Sequence, residues 1–303
     1  MAATWTDLLD PTPEELRAGT TRELEESALE LLLAEPEHED EPRPTLWSHG
    51  DYVFGILLLA VAVPDEDCVF YQQVGLVLTH DSIVTVRKTP PAGRAPYDIE
   101  ELRGEIREDD SPGMIAYRLI DDIAECYLDL VDDLDAEIDE LEDLVDTQSS
   151  TTTRQRISEL RHDLLHIRRT LAPMRDAVRR VVDDVVEVEK GKDVFPHDVE
   201  VAFNGAYDKL LRALDGLELT RDLLSSVRDY HQSKIANDQN EVMKRLTVVA
   251  SLILLPTFIV GLYGQNFVHM PELRWTYGYA YSWALIVVTT VLQLVWFRRK
   301  GWL

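Results

Sequence analysis

The chain has 303 residues and carries 56 acidic against 30 basic side chains, a formal net charge of −26. That balance argues against nucleic acid as a partner, because phosphate backbones are held by basic footprints. Two cysteines, Cys68 and Cys126, are too few for a disulfide framework or a thiolate metal site.

Taken in order, the first residues lack the basic and apolar regions of a secretory signal, since Asp7 and Asp10 interrupt them. Residues 5–9 read as a short strand. Thr12 is a helix cap candidate, with Pro13 at the first helical position and Glu14 and Glu15 in the first turn. A second helix is expected over 21–34, then an acidic, proline-interrupted loop over 35–44. Three β-rich runs follow at 51–63, 71–79 and 83–87, the last two joined by the turn Thr79-His80-Asp81-Ser82. Residues 1–110 therefore form a compact mixed α/β domain, with 90–96 as a loop.

From Ser111-Pro112 the pattern turns helical. Ile120, Ile123, Tyr127, Leu130, Leu134, Ile138, Leu141 and Val145 make one apolar stripe, and residues 121–146 hold 13 acids and no base. A polar turn over 147–153 leads to a helix over 154–189, with eight arginines and a stripe through Ile157, Leu160, Leu164 and Leu171. An acidic arm followed by a basic one predicts an antiparallel hairpin over 111–197, the second arm kinked at Pro173. The bases of the whole chain are 23 arginines and seven lysines. Such a composition gives a hydrated surface suited to a salty cytoplasm, and a surface that concentrates divalent cations is the alternative.

After a break near Pro196, Asp198 opens a helical pattern with no stop before Gly264. Over 198–262 that is 65 residues, or about 97 Å at ~1.5 Å per residue. The uncharged runs 246–262 and 280–297 have 17 and 18 residues, close to what crosses a bilayer. Lys244 and Arg245 precede the first, and Arg298, Arg299 and Lys300 follow the second. The loop between them has only Arg274, balanced by Glu272, so both flanks and both termini are expected on the cytoplasmic side of the cell membrane. Tyr277, Tyr279, Tyr281 and Trp283 suit the outer interface, Trp296 and Trp302 the inner one.

Within the first span, Asn240, Met243, Thr247, Ala250, Leu254, Thr257, Gly261 and Gly264 follow at alternating steps of three and four, which places them on one helix face. Six of the eight are small or polar. Tight helix packing is one reading of such a face. The other is the lining of a water-filled pore, and two spans can enclose one only as a homo-oligomer. Pro256 is expected to bend or loosen this span.

The span ends in Tyr263-Gly264-Gln265-Asn266-Phe267, followed by Met270-Pro271-Glu272-Leu273; it opens with Asn240-Glu241-Val242-Met243-Lys244, and the chain closes on Lys300-Gly301-Trp302-Leu303. These stretches resemble the CorA-type magnesium transporter family, two-span proteins whose first membrane helix ends in Tyr-Gly-Met-Asn-Phe. The Asp-Pro-Thr segment at 10–12, Arg43-Pro44-Thr45-Leu46 and the Leu-Arg-Arg-like pattern within 157–175 also resemble that family's cytoplasmic part. The resemblance implies an α+β cytoplasmic domain, long stalk helices and two C-terminal transmembrane helices, assembled as a pentameric, funnel-shaped channel. It divides the chain into the α/β domain (1–110), the hairpin (111–197), a stalk continuing into the first span (198–262), an outer loop (263–279), the second span (280–297) and a basic tail (298–303).

The same resemblance implies magnesium as the transported ion and possible regulator, and no enzymatic activity. An outer selectivity ring falls on Gly264, Gln265 and Asn266, with Glu272 raising cation concentration at the mouth. Asn240, Thr247, Ala250, Thr257 and Gly261 line the pore; Met243 and Leu254 are constrictions able to close by dewetting. Oxygens of amides, hydroxyls and backbone can hold magnesium through its water shell, which it gives up reluctantly. Gln265 departs from the family's methionine and keeps open a zinc, cobalt or nickel carrier on the same fold. A membrane-anchored sensor or scaffold is a further alternative. Regulatory cation binding is expected at Asp65 and Asp67, with Asp208 the acid nearest to Gly205, where the family often has one. Asp198 with Glu200, and His162 with His166 beside Asp163, are weaker cation-site candidates; the histidines lack a third ligand. Neither a phosphate-binding glycine loop nor Gly-x-Ser-x-Gly occurs.

Overall fold

A computed structural model describes residues 3–34, 41–63, 68–90, 94–186, 188, 193–267, 270 and 274–302. It divides into two units, residues 1–228 and 229–303. The first is built on a five-stranded sheet of β1 (Thr4–Leu9), β2 (Thr45–Ser48), β3 (Val53–Val63), β4 (Cys68–Leu78) and β5 (Ser82–Arg87) in the order β1-β5-β4-β3-β2. All neighbours are antiparallel except β1, which lies parallel to β5. The expected pairing of β4 with β5 is present, and its turn is closed by Thr79, whose Oγ1 lies 2.7 Å from Ser82 Oγ. Asp7 on the edge strand receives the Arg87 guanidinium at 2.6 Å and the Thr85 hydroxyl at 2.7 Å, which fixes β1 in register. The sequence did not announce β2. It has only four residues, and it forms because β3 offers it a partner.

Strand β3 reads as an unbroken apolar run, and β4 as one interrupted only by Gln72 and Gln73, because both faces of the sheet are covered. Phe54, Ile56, Val77, Val84 and Val86 pack with Leu16, Leu24, Ala28 and Leu32 of the N-terminal helical segment, while Val53, Leu57, Leu59, Leu76, Leu78 and Ile83 belong to the larger core on the other face. A side chain on Gly75 would collide with Leu32, so its absence is what lets that segment sit down on the sheet.

Helix α1 (Pro13–Gly19) starts as the sequence indicates. Thr12 accepts from the Glu15 N–H, and the Glu15 carboxylate accepts from the Thr12 N–H, a complete capping box. Helix α2 is shorter than expected, Glu26–Leu33 instead of 21–34. The Thr21 hydroxyl contacts Ser82 instead of capping, and Tyr52 OH accepts from the Glu25 N–H, so the helix begins where the sheet supplies an acceptor. A short α3 (Glu100–Glu105), not foreseen, precedes the long helices.

Helix α4 (Pro112–Leu144) is capped by Ser111, and α5 (Ser150–Val182) by Ser149. They run antiparallel: Glu137 pairs with Arg156, and Tyr127 OH lies 3.2 Å from Thr170 Oγ1. Both predicted stripes are buried, and Tyr127 ties α4 to the sheet through the Leu58 carbonyl at 3.0 Å. α5 stops at Val182, seven residues before the predicted end at 189. The Val185 N–H bonds Arg180 O and the Asp184 N–H bonds Val181 O, with Asp184 at φ +52°, a Schellman closure. The helix continues through Pro173.

Charge pairing is less confined to the hairpin than the sequence implies. Besides Arg156–Glu137, Lys209 on the next helix sits 3.0 Å from Asp121 and 2.7 Å from Glu125, and Arg168 reaches Glu218 at 3.1 Å. Partial burial disfavours the charge on Lys209, but its hydrogen bonds to Glu125 and Asp121 prevail and raise its pKa. Helix α6 (His197–Tyr263) is unbroken for 67 residues, and α7 (Gly278–Arg299) ends the fold.

Candidate ion pathway

In the N-terminal half of α6, Val199, Phe203, Ala206, Leu210, Ala213, Leu217, Thr220, Leu224, Val227 and His231 are all buried at alternating steps of four and three. The same register, extended, reaches Val248 and Ile259, which are 1% and 5% exposed. There the partner is α7: Gln293 Nε2 donates to Ser251 O at 3.4 Å, and Leu255 lines a cleft with Leu292 and Val295. So Val248, Leu252, Leu255 and Ile259 mark the face of the first span turned to α7, while Leu246, Val249, Ile253, Phe258, Val260 and Leu262 are exposed, as a lipid-facing surface requires.

From Thr247 on, the small and polar face points elsewhere, while Asn240 at its start lines a cavity with Trp302 of the tail that follows α7. Asn240, Thr247, Ala250, Thr257, Gly261 and Gly264 are exposed, as are Met243 (63%) and Leu254 (70%). Both seam threonines donate back into the helix, Thr247 Oγ1 to Met243 O at 2.8 Å and Thr257 Oγ1 to Ile253 O at 2.7 Å. This satisfies each hydroxyl hydrogen locally and leaves oxygen lone pairs outward, the orientation that meets a cation or the hydrogens of its water shell. Gly261 has open space where a Cβ would stand. Helix α6 remains helical across Pro256.

At the end of α6 the Gly264 N–H still bonds Val260 O at 2.9 Å, while Gln265 makes only a long 3.5 Å contact to Leu262 O as the helix runs out. Gly264, Gln265 and Asn266 are exposed and consecutive at this terminus. Glu272, expected at the same mouth, lies outside the described residues, as do Asp65 and Asp67. Asp208 is exposed on α6, next to Lys209 and its two acidic partners. His166 is engaged by Glu41 at 3.1 Å, and among the described residues no three His, Cys, Asp or Glu side chains come together as a metal site. The histidine pair therefore gains no third ligand there.

The sequence reading passed over Gln293. Its signal was available: it is the only amide in the second uncharged run, and a polar side chain at that depth requires a partner. Its donor finds Ser251 O, a carbonyl of the neighbouring helix.

The sequence profile of the CorA-like Mg2+ transporter protein family matches residues 2–299. The chain belongs to that family. It is 33% identical over 267 residues to the cobalt/magnesium transport protein CorA of Thermotoga maritima, covering 86% of this chain and 73% of that one. Its fold is that of the complete CorA magnesium transporter of Methanocaldococcus jannaschii, with a TM-score of 0.78 and 23% identity over 99% of this chain and 91% of the other. The full-length CmaX protein shares it too, at TM-score 0.68 and 22% identity, covering 98% and 88%. Family membership makes the chain a divalent-cation transporter of the CorA type and not an enzyme. It also gives the two helices long and apolar enough to cross a membrane their place as membrane segments.

Proposed function

We propose that several copies of this chain, five by the resemblance, surround an axis with the small and polar face of α6 turned inward, and that magnesium passes along it largely hydrated. The composition of the exposed face from Asn240 to Gly264 carries this reading: it is small and polar where the other exposed residues of the span, Leu246, Val249, Ile253, Phe258 and Val260, are of the kind that suits lipid, and its threonine hydroxyl hydrogens are already used within the helix. A pure anchor has no use for outward oxygen atoms in register. Gly264, Gln265 and Asn266 form the outer ring with Glu272 near it; Met243 and Leu254 narrow the path enough to close it by dewetting. The cytoplasmic part, with the domain limits set out above and both termini inside, holds the pore shut when magnesium bridges subunits through acids such as Asp65, Asp67 and Asp208. It relaxes when magnesium falls, a shift between two packings.

Gln265 favours one second reading. An amide where the family places a thioether changes the ligand set at the mouth, and a zinc, cobalt or nickel carrier on the same fold accommodates that change. Uptake into proteoliposomes, followed with ion-sensitive dyes for magnesium, zinc, cobalt and nickel, separates the two. Magnesium entry lost in Asn266→Ala is the expected result. Zinc entry without magnesium entry transfers the proposal to the second reading, and no flux of any ion from an intact oligomer leaves a sensor or scaffold.

A further inference from the structure

A cavity of about 740 Å³ lies between the end of α7 and the stretch of α6 that precedes its apolar run. Asn237, Asn240, Glu241, Lys244, Arg245 and Trp302 line it. Arg245 is held by Glu241 at 2.5 Å, one turn earlier, whereas Lys244 has no ion-pair partner among the described residues. The cavity thus has two bases, one acid already engaged, and side-chain amides able to donate. Three further bases, Arg298, Arg299 and Lys300, end the adjoining helix.

The tryptophan wall is fixed, not incidental. Gly301 adopts φ +67°, the Trp302 N–H bonds Phe297 O at 3.0 Å and the Gly301 N–H bonds Arg298 O at 3.2 Å, so a Schellman turn folds the tail back. The Trp302 ring then stacks on Phe297 with centroids 5.8 Å apart. Along the same two helices runs a second, mainly apolar cleft of about 530 Å³, walled by Leu255, Leu292, Val295 and Trp296, with Thr289, Gln293 and Arg299 also lining it.

From this we infer that the cavity is a binding site for the phosphate of an anionic phospholipid, an acyl chain of which lies in the apolar cleft. The inference rests on α6 and α7 being membrane spans with their basic ends at the inner surface. A phosphodiester offers acceptors to the Lys244 ammonium, the Asn237 amide and the Trp302 indole N–H. A basic pocket between spans at the cytoplasmic surface is where anionic headgroups concentrate, and tryptophan suits the same depth. The apolar cleft distinguishes a lipid from a free phosphate, which has no use for it.

Full-length protein, stripped of lipid in detergent, tests this by native mass spectrometry with dioleoylphosphatidylglycerol or dioleoylphosphatidylcholine added. The phosphatidylglycerol is expected to bind more tightly, and Lys244→Gln to weaken it about fivefold, the effect of one base near a membrane surface. Lys244→Arg should retain binding, Trp302→Ala should weaken it, and Arg298→Gln, outside the cavity, should leave it unchanged. Equal binding of the two lipids, or equal loss in Lys244→Gln and Arg298→Gln, overturns the site. Displacement of phosphatidylglycerol by equimolar inorganic phosphate overturns the lipid as occupant. Retention in neutral phosphatidylcholine vesicles through an alkaline wash tests the spans themselves, so failure of that premise is recognised separately.

Discussion

The two halves of α6 obey one periodicity and meet different surroundings. From Val199 to His231 every third or fourth residue is buried by the chain's own fold, and Phe203 and Leu210 have no exposed surface at all. From Thr247 to Gly264 the helix is equally regular, yet one face meets α7 while the small and polar residues of another are exposed among the described residues. A heptad pattern by itself says only that a face is meant to be covered; residue size and polarity say by what. Phenylalanine and leucine ask for a core. Glycine, alanine and back-bonded threonine ask for close neighbours or for water.

The contrast is sharpest under truncation of a large side chain. Phe203→Ala should lower the unfolding free energy by about 3–5 kcal/mol, because a buried ring leaves a cavity. Leu254→Ala, where the side chain is exposed in one chain, should leave stability within about 0.5 kcal/mol while raising resting ion leak. Thermal melts of detergent-purified protein, with flux measured alongside, compare them; equal destabilisation by both breaks the distinction.

Next in size is Gly75→Ala. Its new methyl group lands on Leu32, so a loss of about 1–3 kcal/mol is expected from overpacking, measured by denaturant titration of the full chain. Pairing with Leu32→Ala should recover part of it. An unchanged midpoint in the single variant contradicts the close approach of the N-terminal helical segment to the sheet.

Lys209 gives a pH-dependent contrast. Its pKa is raised in the folded chain by Glu125 and Asp121, so its stabilisation is complete below the unfolded lysine value of about 10.4 and is lost as pH climbs through the folded one. Lys209→Met should flatten the alkaline end of the stability profile and leave the neutral-to-alkaline slope of flux through the pore unaltered. Gly301→Ala has the smallest effect, about 1 kcal/mol of left-handed strain, seen as faster hydrogen exchange confined to the end of α7.

Local signals carried much of the fold. Thr12, Ser111 and the stripes of α4 and α5 specify helix starts and buried faces through contacts a few residues apart, and the structure shows them. What escaped depends on distant partners. β2 exists because β3 is beside it, α2 begins where Tyr52 offers an oxygen, and Lys209 neutralises acids assigned by sequence to the hairpin alone. Around the ion path the eight-residue face was legible because a regular helix turns spacing into direction. Gln293 was legible as a polar side chain in need of a partner, but the partner itself, a carbonyl on another helix, was not. The acids Asp65, Asp67 and Glu272 fall outside the described residues, and their part in regulation or at the mouth stays with the proposal.

Single cysteines placed along 247–261, in a chain with Cys68→Ser and Cys126→Ser, test the inward-facing seam most directly. A membrane-impermeant thiol reagent should label Thr247→Cys, Ala250→Cys, Thr257→Cys and Gly261→Cys in reconstituted oligomers, and magnesium should slow the labelling. Val248→Cys, Leu252→Cys, Leu255→Cys and Ile259→Cys, on the face turned to α7, should stay unlabelled. Labelling of the second set, or silence of the first while the protein conducts, would contradict a water-filled path along the small and polar face of α6.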